Sequence, residues 1–129
     1  MAEWVRRQIP DSFWNGMYRA IGLIRGNELV GGVVYTDSSK ANISMSVAGT
    51  YFSRQFIKVC FGYPFLQLRV NRVTGYIASR NMKSRVLAER IGMRLESIME
   101  RALPDDDVMV YRMFKEECKW VNPGLLLKQ

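Results

Sequence analysis

The 129-residue chain contains no histidine, only two cysteines and four prolines, and no apolar run long enough to span a bilayer. Without imidazole there is no Ser-His-Asp or Cys-His relay and no metal centre built on histidine ligands, so proton transfer falls to a carboxylate, Tyr, Cys, Lys or water. Cys60 and Cys118 lie too far apart for a CxxC pair or a cysteine-rich cluster. They read as reduced packing residues, and no metal site is expected. The opening Met1-Ala2-Glu3-Trp4-Val5-Arg6-Arg7 lacks the apolar stretch of a signal peptide, so the sequence predicts a cytoplasmic protein with no membrane partner.

What is present is an ordinary globular composition, with 48% hydrophobic and 12% aromatic residues and Gly and Pro scattered without low-complexity tracts. One domain over residues 1–129 is the expectation. The net charge is +7, and it is concentrated. Residues 51–94 hold Arg54, Lys58, Arg69, Arg72, Arg80, Lys83, Arg85, Arg90 and Arg94 against the single acid Glu89. The middle of the chain therefore presents a positive field suited to a nucleic acid or a phosphorylated cofactor, unless these are simply solvated surface bases.

Residues 17–25 and 29–36 are rich in β-branched and aromatic residues around Gly26-Asn27-Glu28, which predicts a hairpin. Residues 42–47 alternate, with Ile43, Met45 and Val47 on one face and Asn42, Ser44 and Ser46 on the other, the pattern of a half-buried strand closed by Ala48-Gly49-Thr50. From Tyr51 the apolar period becomes helical through Phe52, Phe56, Val59, Cys60 and Tyr63, ending near Pro64. Residues 72–78 read as a strand, Asn81 as the N-cap of a helix to Ile91, and Gly92 as its stop. Residues 93–101 and 107–115 read as a last strand pair turning at Pro104 and Asp105. The β-β-β-α-β-α-β-β order is α/β, with a helical crossover that makes the third and fourth strands parallel in a mixed sheet. The first helix then begins beside a strand end, where its free N–H groups suit a phosphate.

Leu68-Arg69-Val70, then Asn81-x-x-Ser84-x-x-Leu87 followed by Gly92-Met93-x-x-Glu96-Ser97, together with Val110-Tyr111-Arg112-Met113, resembles the second half of the Gcn5-related N-acetyltransferases. The spacing is similar to the branch that acetylates ribosomal-protein N-termini, including its short bacteriophage members. The resemblance implies a mixed, mostly antiparallel sheet flanked by helices, with the N-terminal helices cut back to a stub around Trp4 to Gln8. It also implies acetyl-coenzyme A as donor and an amine acceptor, either a protein N-terminus or lysine or a small molecule.

By the same resemblance the pantetheine arm runs beside Ser46, Val47 and Ala48. The pyrophosphate lies at Gly49, Thr50, Tyr51, Phe52, Ser53 and Arg54, Asn81 and Arg85 contact the cofactor, and Ser84 lies near the sulfur as proton donor to the departing thiolate. On spacing alone Asn81, Ser84, Arg85 and Ala88 share a helical face, which lets a hydroxyl and an amide point into one cleft. The pattern departs from its relatives in three places. The pyrophosphate loop keeps a single Gly, Ala88 stands where many carry Tyr, and the third strand has no catalytic Glu. Glu96, with Glu100 nearby, is the remaining carboxylate candidate for a base, against its reading as an ion-pair partner of Arg94 or Arg101; water is the other candidate.

Two other functions compete with the transferase. A binding protein of this fold without chemistry would act on a partner, for a viral protein a host protein. A nucleic-acid binder would use the basic middle, yet no recognised motif supports it. The apolar Trp120, Val121, Leu125, Leu126 and Leu127 are expected to cover the core or form a homodimer contact.

Overall fold

The computed structural model describes residues 19–49 and 52–127. The expected stub at Trp4 to Gln8, and Thr50 and Tyr51 of the pyrophosphate loop, lie outside the described residues. Strands β1 (Arg19–Arg25) and β2 (Glu28–Thr36) form the predicted hairpin, turning where Gly26 takes a positive φ of 65°. Strand β3 (Asn42–Gly49) leads to helix α1 (Arg54–Gly62), β4 (Arg72–Ala78) to helix α2 (Met82–Arg90), and β5 (Arg94–Leu103) pairs with β6 (Asp106–Phe114). The strands lie in the order β1-β2-β3-β4-β6-β5. Among the described residues only β3 and β4 pair in parallel, so the sheet is the mixed, mostly antiparallel one the sequence predicts.

Alternation places Val33, Tyr35, Ile43, Met45, Val73, Met109, Tyr111 and Met113 on one face of the sheet. There they pack with Phe56, Cys60 and Phe61 of α1 and Ala88 of α2. Each such side chain stabilises the fold by about 1.5–3 kcal/mol relative to exposure. The opposite face differs from the half-buried expectation for β3: Ser44 is buried, as are its ladder neighbours Thr36 and Thr74. Three small hydroxyl side chains side by side can be shut from water because their oxygens find partners, as Thr74 Oγ1 does by donating to Asn42 Oδ1 at 2.6 Å.

Ser53 caps α1 by accepting from the Phe56 N–H at 3.0 Å, three residues later than the helix expected from Tyr51. Its far end also differs. The α-helix stops at Gly62, and a π-helical turn, Tyr63–Gln67, carries the chain past Pro64, closing with Leu68 N–H on the Tyr63 carbonyl at 3.1 Å. Asn81 caps α2, and Gly92, at φ 105°, follows its end as predicted. After a 3-10 turn (Lys115–Glu117), Trp120 and Val121 pack on the core and the Trp120 indole N–H donates to the Ile91 carbonyl at 2.8 Å. A short helix α3 (Pro123–Leu127) follows. Cys60 and Cys118 are buried free thiols, in agreement with the sequence reading.

Candidate active site

Strands β3 and β4 are joined at only three positions, Asn42 with Arg72, Ile43 with Val73 and Ser44 with Thr74. Beyond these, β3 stays paired to β2 as far as Gly49, and β4 stays paired to β6 as far as Ala78. The ladder between them ends where the two strands part, leaving a wedge whose walls are two main-chain edges. Such an edge accepts an extended ligand that carries amide groups of its own. Each strand feeds a helix at the open end: α1 begins at Arg54, five residues after Gly49, and α2 begins just past Asn81. Two helix N-termini therefore meet the mouth of the wedge, and neither has an acidic residue in its first turn. Their unpaired N–H groups and dipoles favour an anion there.

On the β3 wall lie Ser46 and Val47, half-buried, and Ala48, buried. Gly49 has a packing reason of its own. A Cβ at this position would sit 2.5 Å from the Val30 carbonyl oxygen and 2.7 Å from Gly31 Cα, so β2 approaches too closely for any side chain. The Phe52 ring lies over Gly49 and stacks on Phe56 at 6.2 Å, which turns it toward the core. Arg54 is exposed at the start of α1, its guanidinium 5.7 Å from the centre of the Trp120 ring.

On the α2 side, Asn81 Oδ1 accepts the Ser84 N–H at 3.2 Å. That bond uses the amide oxygen for capping and leaves the amide nitrogen for other partners. Ser84 is half-buried on the inward flank, one turn before the buried Ala88. Arg85 turns to the protein: Nη1 donates to the Ser79 carbonyl at 3.0 Å and Nε to the Tyr111 hydroxyl at 3.4 Å. Asp106 holds the turn ahead of Asn81, accepting the Arg80 N–H at 2.8 Å, and this contact lowers the Asp106 pKa.

Glu96 stands apart from this group. It lies on β5, separated from β4 by β6, and its carboxylate pairs through both oxygens with Arg72, at 3.1 Å for Oε1. The ion-pair partner is thus Arg72, and neither Arg94 nor Arg101. Arg94 pairs with Glu117 at 3.7 Å, and the Arg101 N–H donates to Asp107. The hydrogen bond from Arg72 holds the Glu96 carboxyl below its ordinary pKa, which makes it a weaker base. The β3 wall and the α1 start follow one of the two parted strands, Asn81 and Ser84 follow the other, and Glu96 lies on β5 beyond β6. Sequence reasoning gave Asp106 no role and Tyr111 only a place in a strand motif, because their contacts cross 26 residues of chain. Among the described residues no group of His, Cys, Asp and Glu could hold a metal, and no helix is long and apolar enough to cross a membrane.

The fold is that of the Gcn5-related N-acetyltransferases, as solved structures bear out. A spermidine N-acetyltransferase from Vibrio cholerae superposes with a TM-score of 0.71 at 18% identity, over 95% of this chain and 76% of that one. A GNAT-family acetyltransferase from Bacillus anthracis gives 0.67 at 20%, over 88% and 82%. The ribosomal-protein-S5-alanine acetyltransferase from Vibrio fischeri gives 0.61 at 15%, over 70% and 57%. The chain spans 60% of the length of a further acetyltransferase with a TM-score of 0.70. No family model matches the sequence, and no curated protein does.

Proposed function

We propose that this chain is an acetyl-coenzyme A-dependent N-acetyltransferase working as one domain. The observation that carries the reading is the parting of β3 from β4 after three ladder positions, with both helices starting at the parted ends. The residues present fit the coenzyme. A free main-chain edge at Ser46 to Ala48 suits the amides of a pantetheine arm, and an acid-free helix start with Ser53 and Arg54 suits a pyrophosphate. Thr50 and Tyr51 complete that loop in sequence. Bound there, acetyl-coenzyme A supplies an acetyl group activated as a thioester.

The chain's own part is to orient and to move protons. A main-chain N–H at Val47 or Ala48 that faces the wedge would stabilise negative charge on the acetyl oxygen, and the Asn81 amide nitrogen would hold the arm. The Ser84 hydroxyl would give its proton to the departing sulfur, Ala88 standing where many relatives carry Tyr. Arg85 and Asp106 position the Ser79–Asn81 turn. Glu96 is an ion-pair residue in this reading, and water takes the proton of the attacking amine. The branch that acetylates ribosomal-protein N-termini is favoured by the Asn81-x-x-Ser84 and Gly92-Met93-x-x-Glu96-Ser97 spacing.

The charge bears on the acceptor. At +7, with Glu96 and Glu117 both engaged by arginines, the chain repels a polycation such as spermidine and favours a neutral or acidic amine, for example a protein N-terminus. Calorimetric titration with acetyl-coenzyme A tests the assignment. Micromolar binding is expected, weakened in Asn81→Ala and Arg54→Ala, with Ser84→Ala binding normally while turnover on amino-terminal peptides falls about 10²-fold. No binding at millimolar coenzyme would refute the reading and favour a protein-binding role for the fold.

A further inference from the structure

One row of the sheet is polar across five strands. Thr36 pairs with Ser44, Ser44 with Thr74, Thr74 with Arg112 and Arg112 with Arg94. Residues directly opposite share a face, and this is the face away from the core, because Tyr35, Ile43, Val73, Tyr111 and Met113 occupy the other. Ser44 with Thr74 is also the last pair that joins β3 to β4, so the row runs along the closed end of the wedge. Its hydroxyl end is buried, and its arginine end reaches water.

The arginine end holds more positive charge than it neutralises. Among the described residues Arg72, Arg94 and Arg112 form their ion pairs with Glu96 and Glu117, three cations against two carboxylates. Arg112 acts on Glu96 as well, after Arg72, so the five groups form one cluster. Their donors are unequally used. Arg72 gives Nε to Thr74 Oγ1 at 3.2 Å and both terminal nitrogens to Glu96. Arg112 gives only Nη1, to Glu117 Oε1 at 2.6 Å, and its Nε and Nη2 have no partner among the described residues. Its guanidinium lies over the Phe114 ring, 3.9 Å from the centre, and the side chain is 19% exposed, so these two donors are held in place and still accessible. Arg94 is 70% exposed and stands 3.7 Å from Glu117, beyond hydrogen-bond range.

We propose that Arg112 and Arg94 form the acceptor-specificity site, and that the amine acetylated by this chain carries a carboxylate one to two strand spacings from its nitrogen. The inference rests on the transferase reading of the wedge. An arm lying along Ser46 to Ala48 can reach no deeper than the Ser44–Thr74 pair. Among the described residues α1, α2 and the core fill one face of the sheet, so an amine comes across the other, between half-buried Ser46 and exposed Tyr76, the next residues on that face of the two walls. From Thr74 the backbones of Arg112 and Arg94 are about 5 and 10 Å away along the row. A free α-carboxylate lies too near its own amine for that span, whereas a Glu side chain at the second residue of a protein N-terminus matches it. Two N–H donors of one guanidinium suit the two oxygens of such a carboxylate.

Calorimetry on the full chain with coenzyme A present tests this, using two C-terminally amidated peptides that differ only in Glu or Gln at the second residue. The Glu peptide should bind about tenfold more tightly, and kcat/KM with acetyl-coenzyme A should favour it by a similar factor. Arg94→Glu should erase or reverse the preference. Titrated alone, the coenzyme should bind Arg94→Glu as it binds the wild type, because Arg94 lies two strands from β4, and this also reports that the variant is folded. A chain that binds the coenzyme but takes the two peptides equally, or takes neither, would overturn the inference and leave the transferase reading standing. So would an Arg94→Glu chain that keeps the wild-type preference. A wild type that binds no coenzyme would refute both.

Discussion

The Tyr35 hydroxyl donates a hydrogen bond to the main-chain carbonyl of Cys60, whose helical donor four residues on would be Pro64. Proline has no N–H to give, so a side chain from β2 supplies the missing bond and ties α1 to the sheet. Burial raises the Tyr35 pKa far above that of a free phenol, which keeps the hydroxyl protonated and donating. Tyr35→Phe should therefore destabilise the chain by about 1–3 kcal/mol in urea unfolding, the cost of a buried acceptor without a partner. Pro64→Ala restores an N–H, so in a double-mutant cycle the Tyr35→Phe penalty should shrink in the Pro64→Ala background. An unchanged penalty would mean that the bond contributes little.

Gly49 separates a packing role from a ligand role. Because a Cβ would press on Val30 and Gly31 main-chain atoms, which have no flexible end to move aside, Gly49→Ala should cost about 1–3 kcal/mol and lower the melting temperature by several degrees without any ligand. Wild-type stability in Gly49→Ala would show that β2 yields there.

The Arg72–Glu96 pair makes a pH prediction. Its partner lowers the Glu96 pKa, so the stability it contributes is present above the ordinary glutamate value of 4.5 and is lost as the pH falls through the lowered folded-state value. The pair is partly exposed, which limits the effect to at most about 1 kcal/mol. Glu96→Gln should unfold slightly more easily than wild type at neutral pH, and the two curves should converge in acid. If Glu96 were instead the catalytic base, Glu96→Gln would abolish turnover; only a modest change is expected.

The two thiols should be silent in the folded protein. Burial pushes the Cys60 pKa up to about 12 and that of Cys118 up to about 11, so almost no thiolate exists at neutral pH. Reaction with a disulfide reagent should require denaturant, both thiols then appearing together at the unfolding rate. Fast labelling of the native chain would show that α1 or the 3-10 turn opens locally.

Much of this protein was legible in its residues. Strict alternation through Ile43, Met45 and Val47, the capping residue Asn81 and the stop at Gly92 are local signals, because strand pleat, helix cap and positive φ are set within a few residues. The Asn81-x-x-Ser84 spacing likewise places two polar groups on one helical face. Other features depend on where distant strands come to lie. Glu96 looked like a spare carboxylate until Arg72, 24 residues earlier, came to rest against it, and Gly49 looked like a loop glycine until β2 passed 2.5 Å from its missing Cβ. The parting of β3 from β4, which makes the site, is written in neither strand: it arises because each is held to a different neighbour, and pairing between strands is a property of the sheet. Sequence by itself determined the elements and their order, since these follow from short-range periodicity. Only the tertiary structure decided which charges are already paired, which edge is bare and where the wedge opens.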